Sequence, residues 1–470
     1  MPDFVTPESR DRHLQWLLEL TQLPAAAGRE WRVIEWIRRW VAERPVLKLT
    51  EDRAGNLVIA PARKSKRPSS SPIYITAHLD HPAFVVERVI GPGTIELAFR
   101  GGVNDPYFEN ARIIVHIGNN GPGDPRPLCR CGATITGSGD GVLGPDGARL
   151  FKTYVAELDQ RPDDASDDAA SVDLRIGDVA TWELPPAEVD ARGIVHTNAC
   201  DDLAAAAAAL SAYDVLMNPP STLSGKPRAE DVRLLFTRSE EIGFTGAIAA
   251  CMLKTMPKSA RVIALENSRS FPDSPLGGGP IVRVGDRLSI FDPRLTAACA
   301  KRAEEIAGHA ATPTATQRAS DVSGWKWQRK LMAGGACEAT VFCAYGYSAT
   351  CLCLPLGNYH NMADLAAVQD GTYDRAKLGP PRVGREFIAA TDYHGLIDLL
   401  IAIGRSLPHG DPVLPRIHQL YQKHQSVLKE LEVKRASKTN PSRKPGKNRA
   451  KPAKPRRKPP TKRFASSRPQ

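Results

Sequence analysis

Leu234-Leu235-Phe236-Thr237-Arg238-Ser239-Glu240-Glu241-Ile242-Gly243-Phe244-Thr245-Gly246-Ala247 is an apolar strand running into two adjacent carboxylates and then a glycine-punctuated turn. Successive side chains at a strand end diverge in direction, so one carboxylate can face a metal ion while the next faces the water that such an ion carries. Most charged pairs are solvated surface, and an isolated Glu-Glu would be read as a loop feature. Here the surroundings decide otherwise.

Four other stretches carry metal-ligand residue types in the same setting, each at the end of an apolar run. Ile73 to Ala77 leads to His78-Leu79-Asp80, and Asn198-Ala199-Cys200 leads to Asp201-Asp202 and an alanine-rich segment. Arg261 to Leu265 ends on Glu266, and Cys351 to Pro355 leads through Gly357-Asn358-Tyr359 to His360. In an open α/β sheet the carboxyl ends of the strands line one crevice, which brings residues far apart in sequence together. The five elements are expected to form one site.

This set resembles the zinc aminopeptidases with a co-catalytic metal pair, most closely the glutamyl-aminopeptidase and deblocking-aminopeptidase family, whose members form tetrahedral assemblies. The resemblance covers most of residues 10 to 405. It is carried by His78-x-Asp80, by Asp201-Asp202 before a helix, by Glu240-Glu241-x-Gly-x-x-Gly-Ala, by Gly279-Pro280 and by Tyr359-His360. Three positions depart from the family pattern: Leu203 in place of an Arg, Glu266 in place of an Asp, and Gly335-Ala336-Cys337-Glu338-Ala339 in place of Gly-Gly-Thr-Asp-Ala. The resemblance implies a zinc-exopeptidase-like α/β/α sandwich, a peptide substrate and a homo-oligomer.

Five side chains can hold two divalent ions if Asp201 bridges them. His78, Asp201 and Glu266 then serve one ion, and Asp201, Glu241 and His360 the other, each ion keeping an open position. Imidazole with carboxylates suits Zn²⁺, with Co²⁺ or Mn²⁺ as alternatives. Glu240, adjacent but not a ligand, is the expected general base, and Asp80 is expected to orient the His78 imidazole from behind. The activity expected is metal-dependent removal of N-terminal residues from peptides. A deacylase or amidohydrolase acting on small N-acyl substrates would use the same metals, and a non-catalytic binding homologue is the third possibility.

The net charge of +11 on 470 residues conceals an asymmetry. Lys434 to Gln470 holds 15 Lys and Arg and no acid; the rest of the chain keeps 48 basic residues against 52 acidic ones. The body is therefore close to neutral, unlike a nucleic-acid-binding domain. From Lys429 onward large apolar residues almost vanish, a composition that predicts a disordered basic tail able to touch RNA or another polyanion. No apolar run approaches the ~20 residues that span a bilayer and no signal-peptide pattern opens the chain, so a cytoplasmic protein without membrane partners is expected. Nine cysteines scattered over apolar segments fit a reducing compartment.

Apolar periodicity predicts two helices between Arg10 and Glu43, broken at Pro24 to Gly28, and a helix over Leu203 to Leu216. Trp31, Trp36 and Trp40 are read as packing against a sheet. Between His78 and Asp201, short β-rich pieces alternate with Gly, Pro and Asp turns, which reads as an inserted β-barrel-like unit; the acidic run Asp163 to Asp168 in it is read as a solvated loop. The expected division is 1–80 with 193–428 as the catalytic α/β part, 81–192 as the insertion and 429–470 as the tail.

Overall fold

The computed structural model describes residues 4–63, 70–121, 123–159, 173–220, 231–311, 324–408 and 412–436. Helices α1 (Pro7–Leu20) and α2 (Trp31–Ala42) come first, then β1 (Leu47–Glu51), β2 (Leu57–Pro61) and β3 (Ile73–His78). Strands β4 (Ala83–Gly91), β5 (Thr94–Arg100), β6 (Arg112–Ile117), β7 (Cys129–Ser138), β8 (Val142–Leu143), β9 (Arg149–Leu158) and β10 (Val179–Trp182) follow. After β11 (Glu188–Val189) and β12 (Ile194–Thr197) come α3 (Leu203–Met217), β13 (Val232–Thr237), α4 (Thr245–Leu253), β14 (Arg261–Arg269) and β15 (Ile281–Asp286). The remainder is α5 (Pro293–Ala307), β16 (Gln328–Met332), α6 (Glu338–Ala344), β17 (Ser348–Leu356), α7 (Leu365–Asp370), α8 (Arg375–Leu378), β18 (Glu386–Ala389), α9 (Ala390–Arg405) and α10 (Leu414–Ala436).

Eight strands form one sheet in the order β1-β2-β13-β3-β14-β17-β15-β16. Its centre, β13-β3-β14-β17, is parallel. These strands read as near-continuous apolar runs because helices cover both faces, as a buried parallel sheet requires. The α3 helix supplies much of that cover: Leu203 to Tyr213 is entirely buried, and six successive alanines let its backbone lie close to the sheet. On α2, Val33, Ile34, Ile37, Trp40 and Val41 form the buried stripe, with Trp36 also buried and Trp40 packed edge-on against Trp16 at 5.7 Å. Burial of each such side chain contributes about 1.5–3 kcal/mol, and the tryptophans are used as packing.

A second sheet takes its strands from residues 83–158 and 179–182 in the order β5-β4-β10-β6-β7-β9-β8, and a further β5–β9 pairing closes six of them into a barrel. Phe84, Phe99, Phe108, Tyr154 and Trp182 fill it, with Phe108 stacked on Tyr154 at 4.0 Å. The fold is thus the α/β/α sandwich that the resemblance implies, with the inserted barrel that the strand pattern predicts. A third, three-stranded sheet, β11-β12-β18, sets β12 before Asp201 and pairs Thr197 with Glu386.

Residues up to Val413 form one compact unit and a second begins at Leu414. The second unit corrects one expectation: the chain remains helical to Ala436, eight residues into the stretch expected to be disordered. Lys429-Glu430-Leu431-Glu432 is made of good helix formers, and the Pro-rich composition that breaks helices starts only later. The rest of the expected tail, and the Asp163–Asp168 run, lie outside the described residues. All nine cysteines are free of disulfides, and Cys129, Cys131, Cys351 and Cys353 lie on β7 and β17 as strand residues. Among the described residues no helix is long and apolar enough to cross a membrane.

Candidate metal centre

The parallel register places Thr237 of β13 beside His78 of β3. One turn beyond Thr237 lies Glu240-Glu241, and the chain folds back so tightly that a Cβ on Gly246 would meet the Arg238 carbonyl oxygen at 2.3 Å. That close approach explains the glycine. Asp201 sits just before the N-terminus of α3, where the helix dipole favours a carboxylate. Glu266 comes from β14, and His360 from a single turn, Tyr359–Asn361, after β17. Positive φ angles at non-glycine residues gather at the two turns that deliver ligands: Ser239 and Phe244 around the acid pair, Asn358, His360 and Asn361 around the histidine. Such backbone is held by its surroundings and concentrates at functional sites.

The structure brings all the residues singled out in the sequence into one place. Asp201 faces two imidazoles at once, Oδ1 lying 3.4 Å from His78 Nε2 and Oδ2 3.6 Å from His360 Nε2. Glu241 Oε1 is 3.3 Å from His360 Nε2, and Glu240 Oε2 is 4.0 Å from His78 Nε2. Ligand-capable atoms of His78, Glu240 and Glu266 lie within 4.8 Å of one another, as do those of His78, Asp201 and Glu241. Glu240 is therefore inside the ligand cluster as well as next to it in sequence. His78, Asp80, Asp201, Glu240, Glu266 and His360 are buried, and Glu241 partly so.

Buried carboxylates outnumber imidazoles here, and that sets the electrostatics. Burial drives the Glu266 and Glu240 carboxyls well above the ordinary range, reinforced by neighbouring acids. Burial works against the charged imidazoles of His78 and His360, yet Glu240, Glu241 and Asp201 raise both well above their usual value. Asp201 is opposed by burial but held low by His360 and His78. So much buried negative charge calls for cations or protons.

His78 Nδ1 donates to the backbone carbonyl of Asp80 at 3.0 Å, which leaves Nε2 for a cation. The Asp80 carboxylate is 3.6 Å from Nδ1, beyond hydrogen-bond length. It accepts instead from the backbone N–H groups of Glu240 at 2.9 Å and Glu241 at 3.1 Å. The imidazole is thus oriented by the main chain of Asp80, while its side chain, expected to do that work, fixes the acid pair. His360 Nδ1 donates to the Gly102 carbonyl at 2.6 Å, and the Tyr359 ring stacks on its imidazole at 3.8 Å.

Sequence reasoning missed several supports. Glu386, buried, accepts from the Asp201 N–H at 3.1 Å and the His360 N–H at 2.8 Å, and burial pushes its carboxyl up to about 7. Glu30 accepts from the Ser239 N–H at 3.1 Å and pairs with Arg238. His81 Nδ1 donates to the Asp201 carbonyl at 2.5 Å, and its Nε2 lies 3.0 Å from Asn361 Oδ1. Glu338, where the family pattern has an Asp, is buried next to the site, and burial pushes it up to about 7. Only Glu338 carried a signal, as a noted departure.

Residues 160–372 match the family described as M42 glutamyl aminopeptidase, a span that includes every proposed ligand except His78. Among solved structures the chain is similar to an aminopeptidase from the archaeon Desulfurococcus kamchatkensis, at 19% identity and a TM-score of 0.59 over 84% of this chain and 95% of that one. It is similar also to the TET aminopeptidase of a marine-sediment Thaumarchaeota archaeon, at 17% and 0.60 over 84% and 97% of the two chains. The TET1 peptidase of Pyrococcus horikoshii, which can assemble into a tetrahedron or a large octahedral shell, gives 18% and 0.58 over 84% and 100%. These likenesses establish the fold. Over residues 160–372 the motifs and the fold agree with the match to the M42 glutamyl aminopeptidase family.

Proposed function

We propose that the chain is a metal-dependent aminopeptidase in which Asp201 would be shared by the ligand sets of two divalent ions. The observation that carries this reading is the placement of the two Asp201 oxygens toward two separate imidazoles, at 3.4 and 3.6 Å. The donor set fits such a pair, because Asp201 Oδ1 and Glu266 Oε2 are buried without a hydrogen-bond partner, as oxygens reserved for a cation would be. His78, Asp201 and Glu266 would hold one ion; Asp201, Glu241 and His360 the other. Nitrogen and carboxylate ligands suit zinc, with cobalt or manganese as alternatives. When bound, the pair supplies an activated water near neutral pH and polarises the scissile carbonyl.

Glu240 takes a proton from the attacking water and returns it to the leaving amine. Asp80 and Glu30 hold the backbone of the Ser239–Glu241 turn, and Glu386 holds that of Asp201 and His360, so the reacting groups meet with little rearrangement. The same reading treats residues 81–192 as an inserted unit, takes the assembling TET peptidase as the guide to a homo-oligomer, and places the chain in the cytoplasm, in keeping with nine unpaired cysteines.

Metal analysis of the purified chain with a panel of free aminoacyl and N-acyl substrates tests this. About two ions per chain and cleavage of substrates with a free N-terminus, abolished by a chelator, are expected. Turnover of N-acyl substrates alone would make the enzyme a deacylase, and a chain that binds no metal under any loading would remove the proposal.

A further inference from the structure

Three thiols meet on one face of the main sheet, beside the metal centre. Cys351 and Cys353 stand two apart on β17 and so share that face. Cys337 reaches them from the start of α6, its backbone fixed by an N–H donated to Asp286 Oδ2 at 3.1 Å. All three are fully buried, and the Cys351 thiol is in side-chain contact with those of both Cys337 and Cys353. Arg283, the register partner of Cys351 across β15, is buried with them. Its Nε has no hydrogen-bond partner, and its other nitrogens make long bonds to Ser268 Oγ at 3.3 Å and the Gly335 carbonyl at 3.4 Å.

A buried guanidinium so poorly matched by acceptors favours a thiolate beside it, and thiolates are what oxidants attack. Among the described residues the three sulfurs form no group compact enough to hold a metal ion, which leaves redox chemistry. Which two sulfurs join is set by the backbone. Residues two apart on an extended strand are roughly 6.6 Å apart at Cα, at the upper end of the span of about 4.4–6.8 Å that a disulfide bridges, and their side chains run parallel. Cys337 approaches Cys351 from a different element and is free of that constraint. It also stands next to a way in: Ala333-Gly334-Gly335 is exposed, and a Cβ on either glycine would meet nothing within 4 Å. Local opening of that short turn brings solvent to the thiol.

We propose that Cys337 and Cys351 form a reversible dithiol–disulfide pair, closed by hydrogen peroxide, that turns the peptidase down. The Cys337 thiolate attacks one peroxide oxygen and the O–O bond breaks, giving a sulfenic acid and, with the thiol's proton, one water. The Cys351 thiol then displaces the sulfenic oxygen, which leaves as a second water, so two thiols and one peroxide yield one disulfide and two waters. An added dithiol restores both thiols by exchange. The new bond, about 2.05 Å long, draws the start of α6 toward β17. Glu338 follows Cys337 and is buried next to the metal centre, and Cys353 is the register partner of Glu266, a proposed ligand. The contraction is therefore felt where the ligands sit. Its effect on turnover rests on the function proposed above; the bond itself does not.

The test treats the full-length, metal-loaded chain with hydrogen peroxide, blocks free thiols with N-ethylmaleimide, and maps peptides by mass beside turnover. A product two hydrogens lighter is expected, with the Cys337 and Cys351 peptides joined, turnover lowered roughly tenfold or more, and both changes reversed by dithiothreitol. Cys337→Thr, which restores the residue of the family pattern, and Cys351→Ala should each abolish the cross-link and keep turnover under peroxide, with metal content equal to the parent's. Oxidation that ends in sulfinic or sulfonic acid, a bond between Cys351 and Cys353, or thiols that stay reduced while exposed Cys129 oxidises would overturn the proposal. So would a cross-link that leaves turnover unchanged. A reduced chain that cleaves no peptide would count against the proposed function, whereas the mass of the cross-link decides the thiol pair in either case.

Discussion

The Asp80 carboxylate accepts a hydrogen bond from the Glu240 backbone N–H at 2.9 Å. Two residues after a proposed ligand, it clamps the peptide that carries the proposed base, in a bond that spans 160 positions of sequence. It ties the segment that follows the proposed ligand His78 to the segment that carries the proposed proton acceptor.

Replacing Asp80 by Ala should therefore lower turnover by roughly 10 to 10² through misplacement of Glu240, with metal content retained. His78 keeps its orientation because its partner is the Asp80 carbonyl, which the substitution preserves. Asp80→Asn, which retains one acceptor oxygen, should fall in between. Metal analysis beside kinetics is the check; loss of metal in both variants would show that the carboxylate steers the imidazole after all.

Glu240 and Glu241 are adjacent and should respond differently. Glu240→Gln keeps size and removes the proton acceptor, so turnover should drop by roughly 10² to 10⁴ with both ions bound. Glu241→Gln removes an anionic ligand 3.3 Å from His360 Nε2, and that ion should be lost or bound far more weakly. Since Glu240 also lies within 4.8 Å of His78 and Glu266, metal content in each variant decides the roles. Metal lost from the Glu240 variant and kept by the Glu241 variant would exchange them.

His13 provides a prediction about stability. Its side chain is fully buried, neither ring nitrogen has a hydrogen-bond partner, and burial, followed by nearby Arg12, pushes the imidazole down to about 3. An unfolded chain would bind that proton near pH 6.5. Between those values the unfolded state holds more protons, so the neutral imidazole's contribution to stability is complete above pH 6.5 and disappears as the pH falls toward 3. His13→Phe should flatten the pH dependence of the unfolding free energy, measured by urea titration, in that window by up to ~1.4 kcal/mol per pH unit. An unchanged slope would mean that the acid sensitivity resides elsewhere, as at His116, which burial also pushes down to about 3.

The first ring of the site is legible because each of its side chains ends an apolar run, and strand register then does the gathering: Thr237 beside His78 is enough to bring Glu240 near His78. The ring behind it is not. Glu386 and Glu30 act by accepting backbone N–H groups, which every non-proline residue possesses, so nothing in the sequence marks the recipients. The split of Asp80 into a carbonyl that serves His78 and a carboxylate that serves Glu240 is hidden for the same reason: one letter stands for both. The extent of α10 is invisible to the composition of the whole basic tail, because helix formation is decided over a few turns.

The loop leaving β5 supplies the Gly102 carbonyl that fixes His360. A Cβ on the preceding Gly101 would fall 2.6 Å from Pro82, so that loop has one narrow route past the sandwich. The barrel is consequently no detachable module: any graft put in its place would have to return one carbonyl to one point, or the histidine more than 250 residues downstream would lose the partner that aims it.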